Sequence, residues 1–274
     1  MLNQMDNSYP AILNQEPIEN TPLTAMAFSG FAHFTALQVR NKKVKGLDLH
    51  LARLRQASLA LYQTALKDSQ ITHAIAKAIA SGPQDLSLTV TLFAPQGEFN
   101  PNSAKATPSV LVRTSAPAHG PAGPLRLASF NYERPLADIK HVGEIGKTYY
   151  LHQAIKQGFD DAAFVDNQGH ISEGSIWNLV FWDGKQLIWP RAALLEGTMM
   201  GIVKRQLSAL GVPQRTQAIK PEHLAQFQGA AVMNSWTPGV NVSAIDTHVF
   251  SQSDQLVTIL HQAFALEPAV TVME

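Results

Sequence analysis

Ten residues near the middle of the chain, Ser115-Ala-Pro-Ala-His-Gly-Pro-Ala-Gly-Pro124, hold three prolines and two glycines. Such a stretch continues neither a helix nor a sheet. A chain of 274 residues interrupted there is expected to fold as two bodies, since single cores become unusual well before 300 residues. The expected domains are an N-terminal α+β domain, 1–118, and a C-terminal domain, 119–274, in an α/β (α+β) protein.

Periodicity on either side supports that division. Phe34-Thr-Ala-Leu-Gln-Val-Arg40 partly alternates apolar and polar within a Thr24–Arg40 stretch that reads as a strand, and Asn41-Lys-Lys43 reads as a turn. Leu49, Leu51, Leu54, Ala57 and Leu61 recur at mostly helical intervals, predicting a helix from Asp48 to about Leu66, and a second runs from Ile71 to Ala80. Leu86–Phe93 and Val110–Thr114 read as strands flanking a Pro/Gly/Asn-rich loop, 95–108. Past the linker come a strand at Leu125–Phe130 and a helix ending at Gly158. Hairpins follow, marked by Asn167-Gln-Gly169 and Asp183-Gly184, then a helix from Thr198 to Gly211. A short strand near Gln217, a strand at Ala230–Met233 and a helix from Asp254 to Leu266 complete the expectation.

Composition excludes several kinds of function. Charged residues are 15% of the chain, below the roughly 25% of ordinary soluble proteins, while 45% are hydrophobic, so disordered and polyelectrolyte classes fall away. Twenty-one basic residues balance twenty-one acidic ones. No long-range field then gathers nucleic acid or anionic membrane, and neither is an expected partner. The absence of cysteine removes disulfides, thiolate metal sites and cysteine nucleophiles, and suits a reducing compartment. No Lys or Arg precedes Arg40, so no secretory signal is expected and the cytoplasm is the expected location. Sparse charge also suits a surface buried in a homodimer. His33, His50, His119 and His141 lack metal-ligand spacing and read as structural or surface histidines, and no metal is expected. No Gly-x-Ser-x-Gly, Gly-x-Gly-x-x-Gly or Walker pattern occurs.

Two stretches concentrate chemistry. In Ile171-Ser-Glu-Gly-Ser-Ile-Trp-Asn-Leu-Val-Phe181 a carboxylate sits between apolar strand segments. In Leu195-Glu-Gly197-Thr198 a glycine turn opens a helix, whose N–H groups and positive dipole end suit an anion such as phosphate. Trp177-Asn178 also reads as packing, an indole beneath a hairpin and an amide holding backbone.

The order of His50-Leu-Ala-Arg53, Ile139-Lys140-His141-Val142, Gly158-Phe-Asp-Asp-Ala162, Glu173-Gly-Ser-Ile-Trp-Asn178, Leu195-Glu-Gly-Thr198 and Asn234-Ser235 resembles the class IV, fold-type-IV, pyridoxal-phosphate enzymes. These are the branched-chain and D-amino-acid aminotransferases and the aminodeoxychorismate lyases. The resemblance runs from about Pro10 to Asp246 and implies a two-domain D-amino-acid-aminotransferase-like fold, pyridoxal 5'-phosphate as cofactor, an amino-acid or keto-acid substrate, and a homodimer. It casts Lys140 as the Schiff-base lysine, with Lys147 as competitor, and Lys140 has the more family-like interval to Gly158. The C-terminal domain would then carry the cofactor lysine. Glu173 becomes the partner of the pyridine nitrogen, and Arg53 the arginine on the cofactor phosphate. Asn178, Gly197, Thr198, Met199 and Ser235 complete the cofactor set, and Phe34, Thr35 and Trp236 are candidate substrate neighbours. Met199-Met200 stands where the family pattern has Thr-Arg, removing a hydroxyl donor. Transamination is the implied reaction. Phe34-Thr35 and Asn234 are nearer the lyase branch, which eliminates pyruvate, and Met199-Met200 also suits a non-catalytic relative. Arg40, Arg113 and Arg134 are all eligible to bind a substrate carboxylate.

Overall fold

The structure is a computed structural model that describes residues 11–17, 30–95, 98–99, 101–251 and 253–273. Thr24–Ser29 of the first expected strand and Pro10 lie outside the described residues. Two compact units emerge. One takes the chain up to Ala118, Ile139–Gly143 and the segment from Pro268 onward; the other takes His119–Asp138 and Glu144–Glu267. The segment bearing Lys140 therefore packs with the first unit, whereas a single cut at 118/119 assigns it to the second.

The first unit contains β1 (Ala11–Leu13), β2 (Glu16–Pro17), β3 (Ala32–Arg40), β4 (Lys43–Lys45), α1 (Leu47–Tyr62), α2 (Asp68–Ser81), β5 (Leu86–Phe93), β6 (Ser109–Ser115) and a C-terminal strand, Ala269–Thr271. Its antiparallel sheet runs C-terminal strand, β4, β3, β5, β6, β1, β2. The expected turn after β3 is tighter than the sequence suggests. Asn41 and Lys42 both take left-handed backbone (φ 51° and 60°), the two-residue geometry that matches strand twist, so β4 begins at Lys43. Along β3, Leu37 and Val39 face a core with Leu54 of α1 and Ile71, Ile75 and Ile79 of α2. Helix α1 stops four residues before its expected end. Gln63 turns left-handed (φ 57°) and closes its N–H on the Leu59 carbonyl.

The second unit contains β7 (Leu125–Asn131), α3 (Ile145–Lys156), β8 (Asp161–Val165), β9 (Ile171–Gly174), β10 (Asn178–Trp182), β11 (Leu187–Pro190), α4 (Thr198–Ala209), β12 (Gln214–Gln217), β13 (Gly229–Asn234), β14 (Thr237–Ile245), β15 (His248–Val249) and α5 (Ser253–Leu266). Strands β10, β13, β14, β7, β8 and β9 pair in succession, and β9 pairs back onto β10, so the sheet closes on itself. That closure is one residue pair, Glu173 opposite Asn178. Side chains alternate across the closed sheet as strand geometry requires. Leu179 and Phe181 join one core with Leu127, Val232 and Val242, while Val180 and Trp182 join another with Met200 and Val203 of α4 and Leu256 and Leu260 of α5. Strand β14 is unforeseen in the sequence, and it contains Pro238-Gly239, residues that disfavour a strand interior. Those residues fall at a register shift between the Thr237 and Val240 pairings, where a strand tolerates proline.

Candidate active site

The closure of the second unit gathers most of the chemistry. Glu173 ends β9 in a buried position, and its Oε1 accepts a hydrogen bond from Arg134 Nε at 2.9 Å. Lys147 Nζ approaches the same oxygen at 3.6 Å. Arg134 Nη1 also meets Glu144 Oε1 at 3.2 Å, and Nη2 donates to the Ala137 carbonyl. Side-chain exposures of 1% for Arg134, 4% for Glu173 and 7% for Lys147 bury three members of a cluster of two cations and two carboxylates, whose fourth, Glu144, is 20% exposed. Glu173 Oε2 is held more lightly, by the Leu195 N–H at 3.4 Å.

Asn178, across from Glu173, builds the adjoining turn. Its Nδ2 donates to the Leu195 carbonyl at 2.7 Å and its Oδ1 accepts the Gly197 N–H at 3.0 Å, so the amide holds backbone, as one reading of the sequence has it. The turn delivers the chain into α4, where Gly197 is the N-cap residue and makes no side-chain cap bond. The first N–H groups of α4, from Thr198 and Met199, therefore form an anion-binding end, with both side chains buried. Near Glu173 in sequence, Ser175 is 1% exposed and its Oγ has no hydrogen-bond partner.

Gly197 is required by contact. A Cβ there would lie 2.0 Å from Asn178 Oδ1. Gly197→Ala is expected to displace the Asn178 amide and lower stability by about 1–3 kcal/mol, read as a lower urea midpoint at constant slope. An unchanged midpoint would show that the turn does not depend on this approach.

Trp177 Nε1 donates to buried Asp161 at 2.7 Å, and its ring meets Trp236 edge-on at 6.0 Å between centroids. Trp236 is 40% exposed in the two-residue turn joining β13 and β14, and half-buried Ser235 precedes it.

In the first unit, Lys140 lies on a segment bonded to the edge of β3. The Phe34 N–H donates to the Lys140 carbonyl at 2.9 Å, the Val142 N–H donates to the Ala32 carbonyl at 2.8 Å, and His141 bridges His33. Half-buried Lys140 places Nζ 4.8 Å from the centre of the Phe34 ring. Phe34 and Thr35, adjacent on a strand, point to opposite faces. Thr35 is buried toward α1, with Oγ1 hydrogen-bonded to His50 Nδ1 at 2.6 Å, so of this candidate substrate pair only Phe34 shares a face with Lys140. Arg53, half-buried one turn along α1 from His50, contributes to lowering the His50 pKa. Of the arginines considered for a substrate carboxylate, Arg134 is engaged by Glu173 and Glu144, and Arg40 donates to the Val39 and Ala118 carbonyls.

His33, hydrogen-bonded to Ser58 at 2.9 Å, and His50 are buried. Burial is the main cause that pushes their pKa values down to about 4 and about 3. Both stay neutral in the folded protein while the unfolded chain takes up protons below about pH 6.5. Stability is therefore full above that pH and falls as acid is added, by about 1.4 kcal/mol per pH unit for each histidine until its folded value is reached. Urea titrations between pH 7 and 4.5 check this, and His50→Gln should flatten the profile.

The sequence reading does not place Arg134 and Lys147 as partners of Glu173, nor Glu144 as the second partner of Arg134. Their only signal was the short interval from Arg134 to Lys147, in which Arg134, Glu144 and Lys147 lie close enough in sequence for a helix start to fold them together.

A family model for class IV amino-transferases matches residues 32–245. No curated protein sequence matches the chain. Among solved structures it is similar to a branched-chain aminotransferase from the archaeon Thermoproteus uzoniensis with norvaline, at 17% identity over 93% of both chains and a TM-score of 0.83. The T.th. branched-chain amino acid aminotransferase complexed with N-(5'-phosphopyridoxyl)-L-glutamate is 16% identical over 96% of this chain and 94% of that one, TM-score 0.81. A putative 4-amino-4-deoxychorismate lyase from Legionella pneumophila is 19% identical over 90% of this chain and 95% of that one, TM-score 0.76. At such identities the solved structures establish the shared fold, and the family model, spanning most of the chain, establishes the kinship: this protein belongs to the class IV aminotransferase family.

Proposed function

We propose that the protein is a pyridoxal-phosphate-dependent transaminase that moves an amino group between an amino acid and a keto acid. The observation that carries the reading is the buried Glu173 carboxylate, fixed through Oε1 by cations and beside a turn that opens α4. The donor set suits this cofactor. Lightly held Glu173 Oε2 can accept the ring N–H, and the uncapped start of α4 offers N–H donors to a phosphate. The T.th. enzyme's complex with a phosphopyridoxyl amino acid supports the choice. When bound, the cofactor supplies an aldehyde and an electron-withdrawing ring.

The chain's own groups do the rest. Glu173 holds a proton on the ring nitrogen, Thr198 and Met199 N–H groups, Ser235 and Arg53 bind phosphate, and Asn178 shapes their turn. Lys140 provides the amine that links to the aldehyde and moves the proton at the substrate α-carbon. Lys147 is engaged at Glu173, the carboxylate that would hold the ring nitrogen, and this supports Lys140 over Lys147 as the amine. Phe34 beneath Lys140 and Trp236 beside Trp177 are the proposed substrate neighbours. A homodimer is supported by exposed Ile145 and Tyr149, one turn apart on α3, and a cytoplasmic location by the cysteine-free composition.

Phe34-Thr35 favours a second reading, elimination of pyruvate from aminodeoxychorismate. A panel of amino donors and keto acceptors that includes aminodeoxychorismate separates the two. Keto acid formed only when an acceptor is present establishes the transaminase, and pyruvate from aminodeoxychorismate alone establishes the lyase. A purified chain that takes up no added pyridoxal phosphate refutes both.

A further inference from the structure

Lys147 is a buried ammonium that the proposed chemistry does not use. It lies in the first turn of α3, three residues after Glu144, and both residues face the Arg134–Glu173 pair. Glu144 and Glu173 each take a nitrogen of the one arginine, and Glu144 Oε2 is buried with no hydrogen-bond partner. With Lys147 present, two carboxylates meet two cations. Without it, the buried Glu173 and the half-buried Glu144 would share Arg134, and a buried charge lacking its counter-ion forces rearrangement. The arginine could then lean toward Glu144, whose free oxygen offers it a second acceptor, and release Glu173.

We propose that Lys147 is a positioning residue whose ammonium balances the second carboxylate, keeping Arg134 on Glu173 Oε1 and thereby leaving Oε2 aimed for the cofactor ring. The assignment rests on the pyridoxal-phosphate reading above. Tyr132, whose hydroxyl abuts the backbone at Gly146, also faces the cluster, and burial followed by the Glu144 charge raises its pKa, so it adds a neutral donor and no competing cation. Lys147 acts through Glu173 and touches no reacting atom, so its removal should affect turnover while sparing covalent attachment.

The test uses the holoenzyme and compares Lys147→Met, Lys147→Arg and the double variant Lys147→Met/Glu144→Gln. Lys147→Met should lower kcat by roughly tenfold or more with KM within about threefold, the size expected when contacting charged groups are uncoupled. Lys147→Arg should retain most activity. Glu144→Gln, by removing the surplus charge, should restore kcat to Lys147→Met, a rescue that a mere packing role for the lysine would not give. Lys147→Gln serves the same comparison where the methionine chain does not fold. A kcat within twofold of wild type in Lys147→Met, or a loss that Glu144→Gln leaves untouched, overturns the proposal. Loss of borohydride-fixed cofactor in Lys147→Met overturns both it and the choice of Lys140, whereas a wild-type chain that binds no cofactor refutes the reading beneath and the proposal with it.

Discussion

Lys140→Ala is expected to abolish the borohydride-reducible cofactor adduct and to lower turnover by about 10²–10⁴-fold or more, because one amine serves both as the covalent attachment and as the proton carrier. The fold should survive. The segment around position 140 is anchored through backbone, by the Phe34 N–H on the Lys140 carbonyl and the Val142 N–H on the Ala32 carbonyl, and alanine keeps both bonds. The ring contact with Phe34 that disappears is worth about 0.5–1 kcal/mol at a partly exposed site. A thermal midpoint near wild type together with an inert, adduct-free protein would assign the lysine. A Lys140→Ala protein that still fixes cofactor at its usual peptide would move the role elsewhere, and peptide mapping of the reduced adduct names the residue.

The largest effect on stability belongs to Arg134. Replacing it by methionine removes the guanidinium from Glu173, from Glu144 and from the Ala137 carbonyl together. Breaking a buried pair from one side costs about 3–5 kcal/mol, mostly because the surviving charge is stranded, whereas replacing both partners by neutral groups costs far less. Arg134→Met should therefore unfold at much lower urea than wild type, and Arg134→Met/Glu173→Gln should recover part of the loss. Equal stability in the two variants would mean that Glu173 finds water or another donor when the arginine goes, and that the cluster is less closed than its geometry states.

How far the sequence spoke follows from the range over which each feature is determined. Helix α4 and its glycine turn, the hairpins at Asn167–Gly169 and Asp183–Gly184, and the strands flanking the first loop all follow from local periodicity and turn chemistry. The family kinship was legible from motif order alone. Strand β14 was hidden by Pro238-Gly239, whose place in a bulge depends on its partner strand. The cluster around Glu173 was hidden for another reason: Arg134 is 39 residues from Glu173 along the chain, and only closure of the sheet makes them neighbours. The family resemblance ranks Lys140 above Lys147 by its interval to Gly158 but says nothing of what Lys147 does, because a lysine's counter-ion is a tertiary fact.

The path of the backbone at residues 139–143 limits how this protein can be dissected. Those five residues leave the second unit, complete an edge of the first, and return. A fragment beginning at His119 would carry Lys140 without the β3 edge that fixes it, and a fragment ending at Ala118 would expose that edge with no lysine on it. Genetic fusions, split reporters or inherited truncations placed at the proline-rich joint would thus part the amine from its mooring, although the joint looks like the natural place to cut.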